Sequence, residues 1–384
     1  MSSSLVNDRL RLTPAKPGVY LMKDSNDTVL YVGKASVLRN RVRSYFVPED
    51  TLATKTRLLM NQVSDFEYIV TDTESEALIL ENTLIKRYKP RYNVRLKDDK
   101  TYPYLKIDLQ EDFPRVYITR KVSNDGARYF GPFASAGSVR QTMDLVKRLF
   151  PYRSCTKTIT GVDPRPCLEF YINRCIAPCS GHASQNDYLD VIRQVIMFME
   201  GNTEEVTQQL QENMLDASEN MEFERAAILR DQINSIEKVL EDRDIKVDSG
   251  KLVDLDAIAL ASSENESSVE VFFIRNGKLI GRDRFLMEGT KEESPGSILG
   301  QFIKQFYQSA VVIPPTILLQ HDIEDVDVLV QWMSHTRGGS VKLASPKRGI
   351  NKKIIDIVYE NAQQGLLQKR VSWMNNKGVI EEAV

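Results

Sequence analysis

Two triplets, Gly18-Val19-Tyr20 and Tyr31-Val32-Gly33, stand ten residues apart around a polar Ser25-Asn26-Asp27 turn. Apolar residues alternate or cluster on both sides of that turn, in GVYLMKD (18–24) and VLYVGKA (29–35). This pattern closes a β-hairpin, and the glycines flanking the tyrosines permit close backbone approach. The next segment, SVLRNRVRSYF (36–46), reads as a helix with Ser36 as its N-cap. A second helix over about 51–64, a strand over about 66–72 and a third helix over 74–88, ending before Pro90, complete a ββααβα order. Residues 14–96 are thus expected to form a small α/β domain.

The chain has 384 residues, 42 % hydrophobic and 27 % charged. That is material for two to four domains at roughly 100–200 residues each, and too apolar for a disordered chain. A small α+β extension is expected over 97–150, with strands near 104–108, 115–121 and 128–133 and a helix near 137–149. Residues 151–182 hold all four cysteines, and 186–243 read as helical with a break at Gly201-Asn202. An α/β domain over 252–370 follows: strands at 254–262, 268–276 and 278–287, then alternating helices and strands up to a helix at 349–370. The fold class is α/β multidomain. No window approaches the roughly 18 apolar residues of a membrane span, and the first residues lack a signal-like apolar region. The expectation is a soluble, cytoplasmic protein with no membrane association. Residues 1–180 carry 29 Lys+Arg against 20 Asp+Glu, a net of +9, whereas 181–384 carry a net of −11. A basic N-terminal half suits a polyanion, with ordinary scatter between domains as the alternative.

The hairpin is followed by cations and one isolated carboxylate. Lys34, Arg39, Arg41 and Arg43 sit on the loop and helix leaving the second strand, and Arg41 and Tyr45, four apart, share a helix face. Glu81 lies among apolar neighbours in ALILENTLIKRY, and a buried carboxylate needs a partner. Asn93 follows in the basic, aromatic stretch KPRYNVRLK. These residue types suit phosphodiester hydrolysis. One carboxylate can hold a divalent metal, Arg and Lys can offset phosphate charge, and a Tyr whose pKa is lowered by cations can act as general base. The alternative is that Tyr20 and Tyr31 are half-buried hairpin residues and Glu81 pairs with a surface lysine.

Taken together, the two triplets, an Arg eight residues after the second glycine, and a Glu and an Asn twelve apart resemble the GIY-YIG nuclease domain. KPGVYLMKD, LYVGKASVLRNRVRSYF and EALILENTLIKRYKPRYNVRLKDDKTYPYLKI are similar to the UvrC family, the nuclease subunit of bacterial nucleotide excision repair. The resemblance implies that Glu81 binds Mg²⁺ or Mn²⁺ and that Arg41 stabilises the scissile phosphate. It also implies that Tyr31, with Tyr20 and Lys34, orients or activates the attacking water, while Tyr45 and Asn93 support the site. Val19 and Val32 stand where the name-giving motif has Ile, a small apolar change.

Cys155, Cys167, Cys175 and Cys179 are spaced C-x11-C-x7-C-x3-C. A reducing compartment disfavours disulfides. Four thiolates suit Zn²⁺ and a [4Fe–4S] cluster equally well, and four unliganded thiols are the alternative, with His182 a bystander. FPYRSC and RPCLEFYINRCIAPCSG resemble the same family, which implies an iron–sulfur cluster in a structural or DNA-engaging role.

In 203–243, Val206, Leu210, Met214 and Ala217 form one apolar stripe of a helical hairpin. It can pack on its own chain or on a partner. MEFERAAILRDQI matches the UVR motif, which implies that Met221, Phe223, Ala226, Ala227, Leu229, Arg230 and Ile233 dock onto UvrB. The element order of 252–370 is RNase H-like by analogy. Asp254, Asp256 and Asp322 could supply its carboxylates, although surface aspartates at strand ends are commoner. The resemblance extends over the 384 residues. The second nuclease module, its 5′ incision and the helix-hairpin-helix pair of the family are expected to be missing. The implied function is a metal-dependent, structure-directed DNA endonuclease that cuts 3′ of a lesion in double-stranded DNA, with UvrB as partner and UvrA indirectly. The alternative is a non-catalytic adaptor linking UvrB to DNA.

Overall fold

In the computed structural model, which describes residues 9–97, 102–241 apart from 124 and 134, 254–263 and 266–381, the hairpin forms as the turn dictates. Asp24 Oδ1 accepts the Asn26 and Thr28 N–H groups at 2.8 and 2.9 Å, an Asx-type turn. It joins antiparallel β1 (Gly18–Lys23) and β2 (Val29–Ala35), with Tyr20 opposite Gly33. Helix α1 (Leu38–Arg43) follows, but Ser36 does not cap it. The first donors of that helix are met by backbone instead: Leu38 and Arg39 N–H donate to the Lys16 and Pro14 carbonyls at 3.0 and 3.1 Å. Those two backbone bonds satisfy donors that a side-chain cap would otherwise serve. After α2 (Thr54–Met60), β3 (Asp65–Val70) pairs with the free edge of β1 to give the order β2-β1-β3. Helix α3 (Glu74–Tyr88), capped by the Thr73 side chain, lays Ala77, Leu84 and Ile85 against Val19, Leu21 and Val32.

The two-residue strand β4 (Arg95–Leu96) leads into β5 (Tyr104–Ile107), β6 (Val116–Thr119) and β7 (Arg128–Phe130), ordered β6-β5-β7. Helices α4 (Ala136–Leu149), α5 (Leu168–Tyr171), α6 (Gln185–Met199), α7 (Thr203–Glu219) and α8 (Phe223–Glu241) follow. Three short strands bury little by themselves. Segments expected separately therefore share one core, in which Leu105, Ile107, Val139, Phe150, Tyr188, Ile192, Val206 and Ile236 meet.

The last region runs β8 (Leu255–Ser262), β9 (Glu266–Arg275), β10 (Lys278–Glu288), α9 (Pro295–Ser309), β11 (Thr316–Leu319), α10 (Val326–Arg337), β12 (Lys342–Ala344) and α11 (Ile350–Glu381). Its sheet has the order β12-β11-β8-β9-β10-β4, with β8–β10 antiparallel and β11 parallel to both its neighbours. The sixth strand is therefore supplied from the N-terminal side: Leu96 pairs with Met287 and Arg95 with Glu288. Leu78 of α3, Val94 and Leu96 are buried in the same core as Phe285, Met287, Phe302 and Phe306. Polar contacts extend this docking. Asn82 Nδ2 donates to the Lys304 carbonyl at 3.0 Å and to Gln308 Oε1 at 2.5 Å. Gln305 brackets the linker, donating to Val94 O at 3.1 Å and accepting from Leu96 N–H at 2.8 Å. Among the described residues, no helix is long and apolar enough to cross a membrane.

Candidate active site

The two motif glycines are required by contact. A Cβ on Gly33 would lie 2.4 Å from the Tyr20 hydroxyl, and one on Gly18 would lie 2.3 Å from the Ile69 carbonyl oxygen. The Tyr20 phenol thus crosses directly over the backbone of β2. Its hydroxyl is 2.8 Å from that of Tyr45 and accepts from Arg41 Nε at 3.3 Å. Tyr31 completes a trio of rings, with centroids 6.1 Å from Tyr20 and 6.3 Å from Tyr45. The Arg41 guanidinium lies 5.6 Å from the centre of the Tyr45 ring.

Glu81 projects from α3 into the same cleft and is buried. One carboxylate oxygen accepts the Lys34 N–H at 2.9 Å, and the other accepts from Lys304 Nζ of α9 at 3.2 Å. Tyr20, Tyr31, Lys34, Arg41, Tyr45, Glu81 and Asn93 all line this one cleft. Asn93 is buried, with its Oδ1 accepting the Val32 N–H at 2.9 Å and its Nδ2 donating to the Val32 carbonyl at 2.7 Å. It therefore fixes the strand that carries Tyr31 and Lys34. Asn93→Ala is expected to cost about 1–3 kcal/mol of stability, because it orphans buried backbone groups. Urea unfolding of variant and wild type checks this; equal midpoints would contradict it.

Sequence reasoning missed the far wall of the cleft. Lys34 Nζ pairs with Asp325 at 2.9 Å, and Lys55 Nζ with Glu293 at 2.5 Å. No local signal marks these partners, since each lies more than 200 residues away along the chain. The nearby arginine alone does not make Tyr20 and Tyr31 acidic. Burial first, then the Tyr45 phenol, pushes the Tyr20 pKa well above the usual phenol value, and Arg41 opposes this without reversing it. Tyr31 is likewise raised, by burial first and then by Tyr20, Tyr45 and Glu81. Desolvation outweighs one arginine here.

Four family models match along the chain: the UvrC-like GIY-YIG domain at 16–94, the UvrC/Cho excinuclease middle domain at 102–198, the UvrB/uvrC motif at 204–239 and the UvrC Ribonuclease H-like domain at 254–369. The chain belongs to the UvrC family. It is 46 % identical to the UvrABC system protein C of Dehalococcoides mccartyi strain CBDB1 over 384 residues, which is 100 % of this chain and 63 % of that protein. The corresponding protein of Acetivibrio thermocellus is 46 % identical over 359 residues, 93 % of this chain and 57 % of that one. The chain thus spans about three fifths of the length of the curated relatives it matches. Among solved structures, the magnesium-bound GIY-YIG N-terminal endonuclease domain of UvrC from Thermotoga maritima is 39 % identical, covering 24 % of this chain and 99 % of that one, with a TM-score of 0.22.

The other expected sites of this UvrC-family chain fare differently. Cys155 is half-buried, Cys167 exposed, and Cys175 and Cys179 buried, with no disulfide. Among the described residues, no three Cys, His, Asp or Glu side chains are grouped closely enough to hold a metal. The described side chains thus do not draw together the iron–sulfur ligand set that the resemblance implies, nor a zinc set of four thiolates. The segment is organised instead by Arg153, which donates to the carbonyls of Phe113, Cys155 and Lys157 and pairs with Glu111 at 3.0 Å. The His182 ring lies tilted against Phe170, with centroids 4.7 Å apart, and shares a hydrogen bond with Ser180.

Of the hairpin residues, Met221 and Phe223 are 77 % and 65 % exposed at the turn, and Arg230 is also exposed. Ala226, Ala227 and Leu229 are half-buried, whereas Ile233 packs inside the chain's own core. The three aspartates of the RNase H-like region do not converge. Asp256 is buried against Arg275 at 2.8 Å and the Tyr307 hydroxyl at 2.7 Å. Asp254 accepts the Asn276 N–H at 2.9 Å, and Asp322 pairs with Lys347 at the surface.

Proposed function

We propose that this chain is the nuclease subunit of bacterial nucleotide excision repair and hydrolyses a DNA phosphodiester on the 3′ side of a lesion. The observation that carries the reading is the convergence of three phenols, Arg41, Lys34 and the Glu81 carboxylate on one cleft. The names of the relatives, UvrABC system protein C, support it. Glu81 would hold Mg²⁺ or Mn²⁺. The donor fits: a hard cation takes carboxylate oxygen and keeps its remaining positions for water and substrate phosphate, and the same oxygen already receives the Lys304 ammonium. When bound, the ion polarises a phosphoryl oxygen.

The chain's own residues supply the rest. Arg41, exposed at the cleft and steadied by Tyr20, offsets charge growing on the phosphate. Tyr31, with Tyr20 and Lys34, orients the attacking water; the raised pKa values keep both phenols protonated at neutral pH, as hydrogen-bonding groups. Tyr45 buttresses Tyr20 and Arg41. UvrB would dock on Met221, Phe223, Ala226, Ala227, Leu229 and Arg230, with Ile233 anchoring the hairpin from within. Damaged double-stranded DNA would meet the basic N-terminal half through phosphate contacts that weaken with salt, and UvrA would act only through UvrB.

A second reading, an adaptor that links UvrB to DNA without cutting, is favoured by the Lys304 contact on Glu81. Incision of a lesion-bearing duplex by the chain with UvrA, UvrB and Mg²⁺ separates the two. A metal-dependent cut 3′ of the lesion is expected. Capture of UvrB without any cut would establish the adaptor, and a cut on the 5′ side alone would overturn the assignment of this site.

A further inference from the structure

We propose that Lys304 is a built-in cation that occupies the Glu81 carboxylate until a divalent ion displaces it, so that the RNase H-like region sets the metal affinity of the nuclease cleft. This rests on the reading of Glu81 as the metal ligand. The Lys304 and Glu81 side chains are 8 % and 5 % exposed and meet at 3.2 Å, although 223 residues separate them. The other oxygen of Glu81 already accepts the Lys34 N–H, so the ammonium sits on the oxygen that carries no backbone bond. A monovalent and a divalent cation on one carboxylate oxygen repel each other at contact distance, and the burial of Lys304 and Glu81 leaves little solvent to screen them. Binding of one therefore weakens the hold of the other.

The surrounding charges follow the same logic. Lys34 and Lys55, which face the cleft, are each held by a carboxylate of the RNase H-like region, Asp325 and Glu293. The lysines that would meet phosphates thus meet carboxylates, and the carboxylate that would meet a metal meets an ammonium. Three complementary pairs of that kind reproduce the charge pattern of a metal–phosphate complex on a neighbouring protein wall. Such a wall opposes loading of both metal and DNA without altering the nuclease residues themselves. The cost to affinity follows from populations. If the ammonium-bound arrangement makes up about 90 % or more of the apo molecules, the apparent Kd for metal is raised about tenfold or more over its intrinsic value.

The test is Mn²⁺ binding to the whole chain, read by electron paramagnetic resonance of the free ion, with no incision required. Lys304→Met, which keeps the stem and removes the charge, is expected to bind Mn²⁺ about tenfold or more tightly than wild type, and Lys304→Arg is expected to return the weak affinity. If Lys304→Met folds poorly, the wild type alone still decides. Saturating Mn²⁺ should speed amide exchange in α9 (295–309) relative to β9 (266–275). Unchanged affinity in Lys304→Met, or unchanged exchange in α9 at saturation, overturns the inference. Glu81→Gln separates this from failure of the underlying reading: if that variant binds Mn²⁺ as tightly as wild type, the metal lies elsewhere and the nuclease assignment of Glu81 falls with it.

Discussion

Glu81→Gln is expected to lower metal-dependent incision by about three orders of magnitude while the chain stays folded. The amide keeps the shape of the carboxylate and retains an oxygen to accept the Lys34 N–H now bonded at 2.9 Å, so β2 and α3 stay in register. What disappears is the negative charge that a divalent ion needs. A metal that polarises a phosphoryl oxygen contributes several kcal/mol to the transition state, and about 4 kcal/mol corresponds to roughly a thousandfold in rate. Single-turnover cleavage of a lesion-bearing duplex in the presence of UvrA, UvrB and Mg²⁺ measures the loss. A thermal melt guards against unfolding, because Lys304 is left buried beside a neutral group. Cleavage within tenfold of wild type would remove Glu81 from the metal site. Glu81→Ala is the poorer probe, since it also deletes the acceptor of the Lys34 N–H.

What the sequence made legible was local. The hairpin could be read because its turn is closed by Asp24 and its strands differ from helix in apolar period, and the glycine of each triplet stands where a side chain would strike Tyr20 or the Ile69 carbonyl. The three long strands and alternating elements after residue 254 were legible for the same reason. Ser36 is a misleading signal because a serine ahead of a helix predicts a side-chain cap, whereas here the backbone carbonyls of Lys16 and Pro14 take the first donors. The acidity of the tyrosines misled because spacing reports the arginine nearby and not the desolvation around the phenol. Lys304, Asp325 and Glu293 carried no signal at all. They reach the cleft only because β4, two residues long, completes the edge of a sheet built from the other end of the chain, and because Leu78 is buried in its core. A strand of two residues has no period to detect.

Asp256→Ala is expected to cost about 3–5 kcal/mol of folding stability without touching the incision chemistry of the molecules that remain folded. Its position on β8 suits a metal-binding carboxylate, but each of its oxygens is engaged within the protein, one by Arg275 at 2.8 Å and one by the Tyr307 hydroxyl at 2.7 Å. Burial first, and then this carboxylate, hold the Tyr307 pKa well above the ordinary phenol value, so the phenol remains a donor to Asp256. Deleting one member of a buried ion pair strands the other away from water, which is the source of the large cost. Replacing Asp256 and Arg275 together by apolar residues of similar volume should recover most of it, and a double-mutant cycle in urea gives the coupling directly. The pair thus ties β8 to β9 and, through Tyr307, to α9. A variant at Asp256 that melts like wild type but no longer cuts would reverse the assignment and make this carboxylate part of a reaction centre.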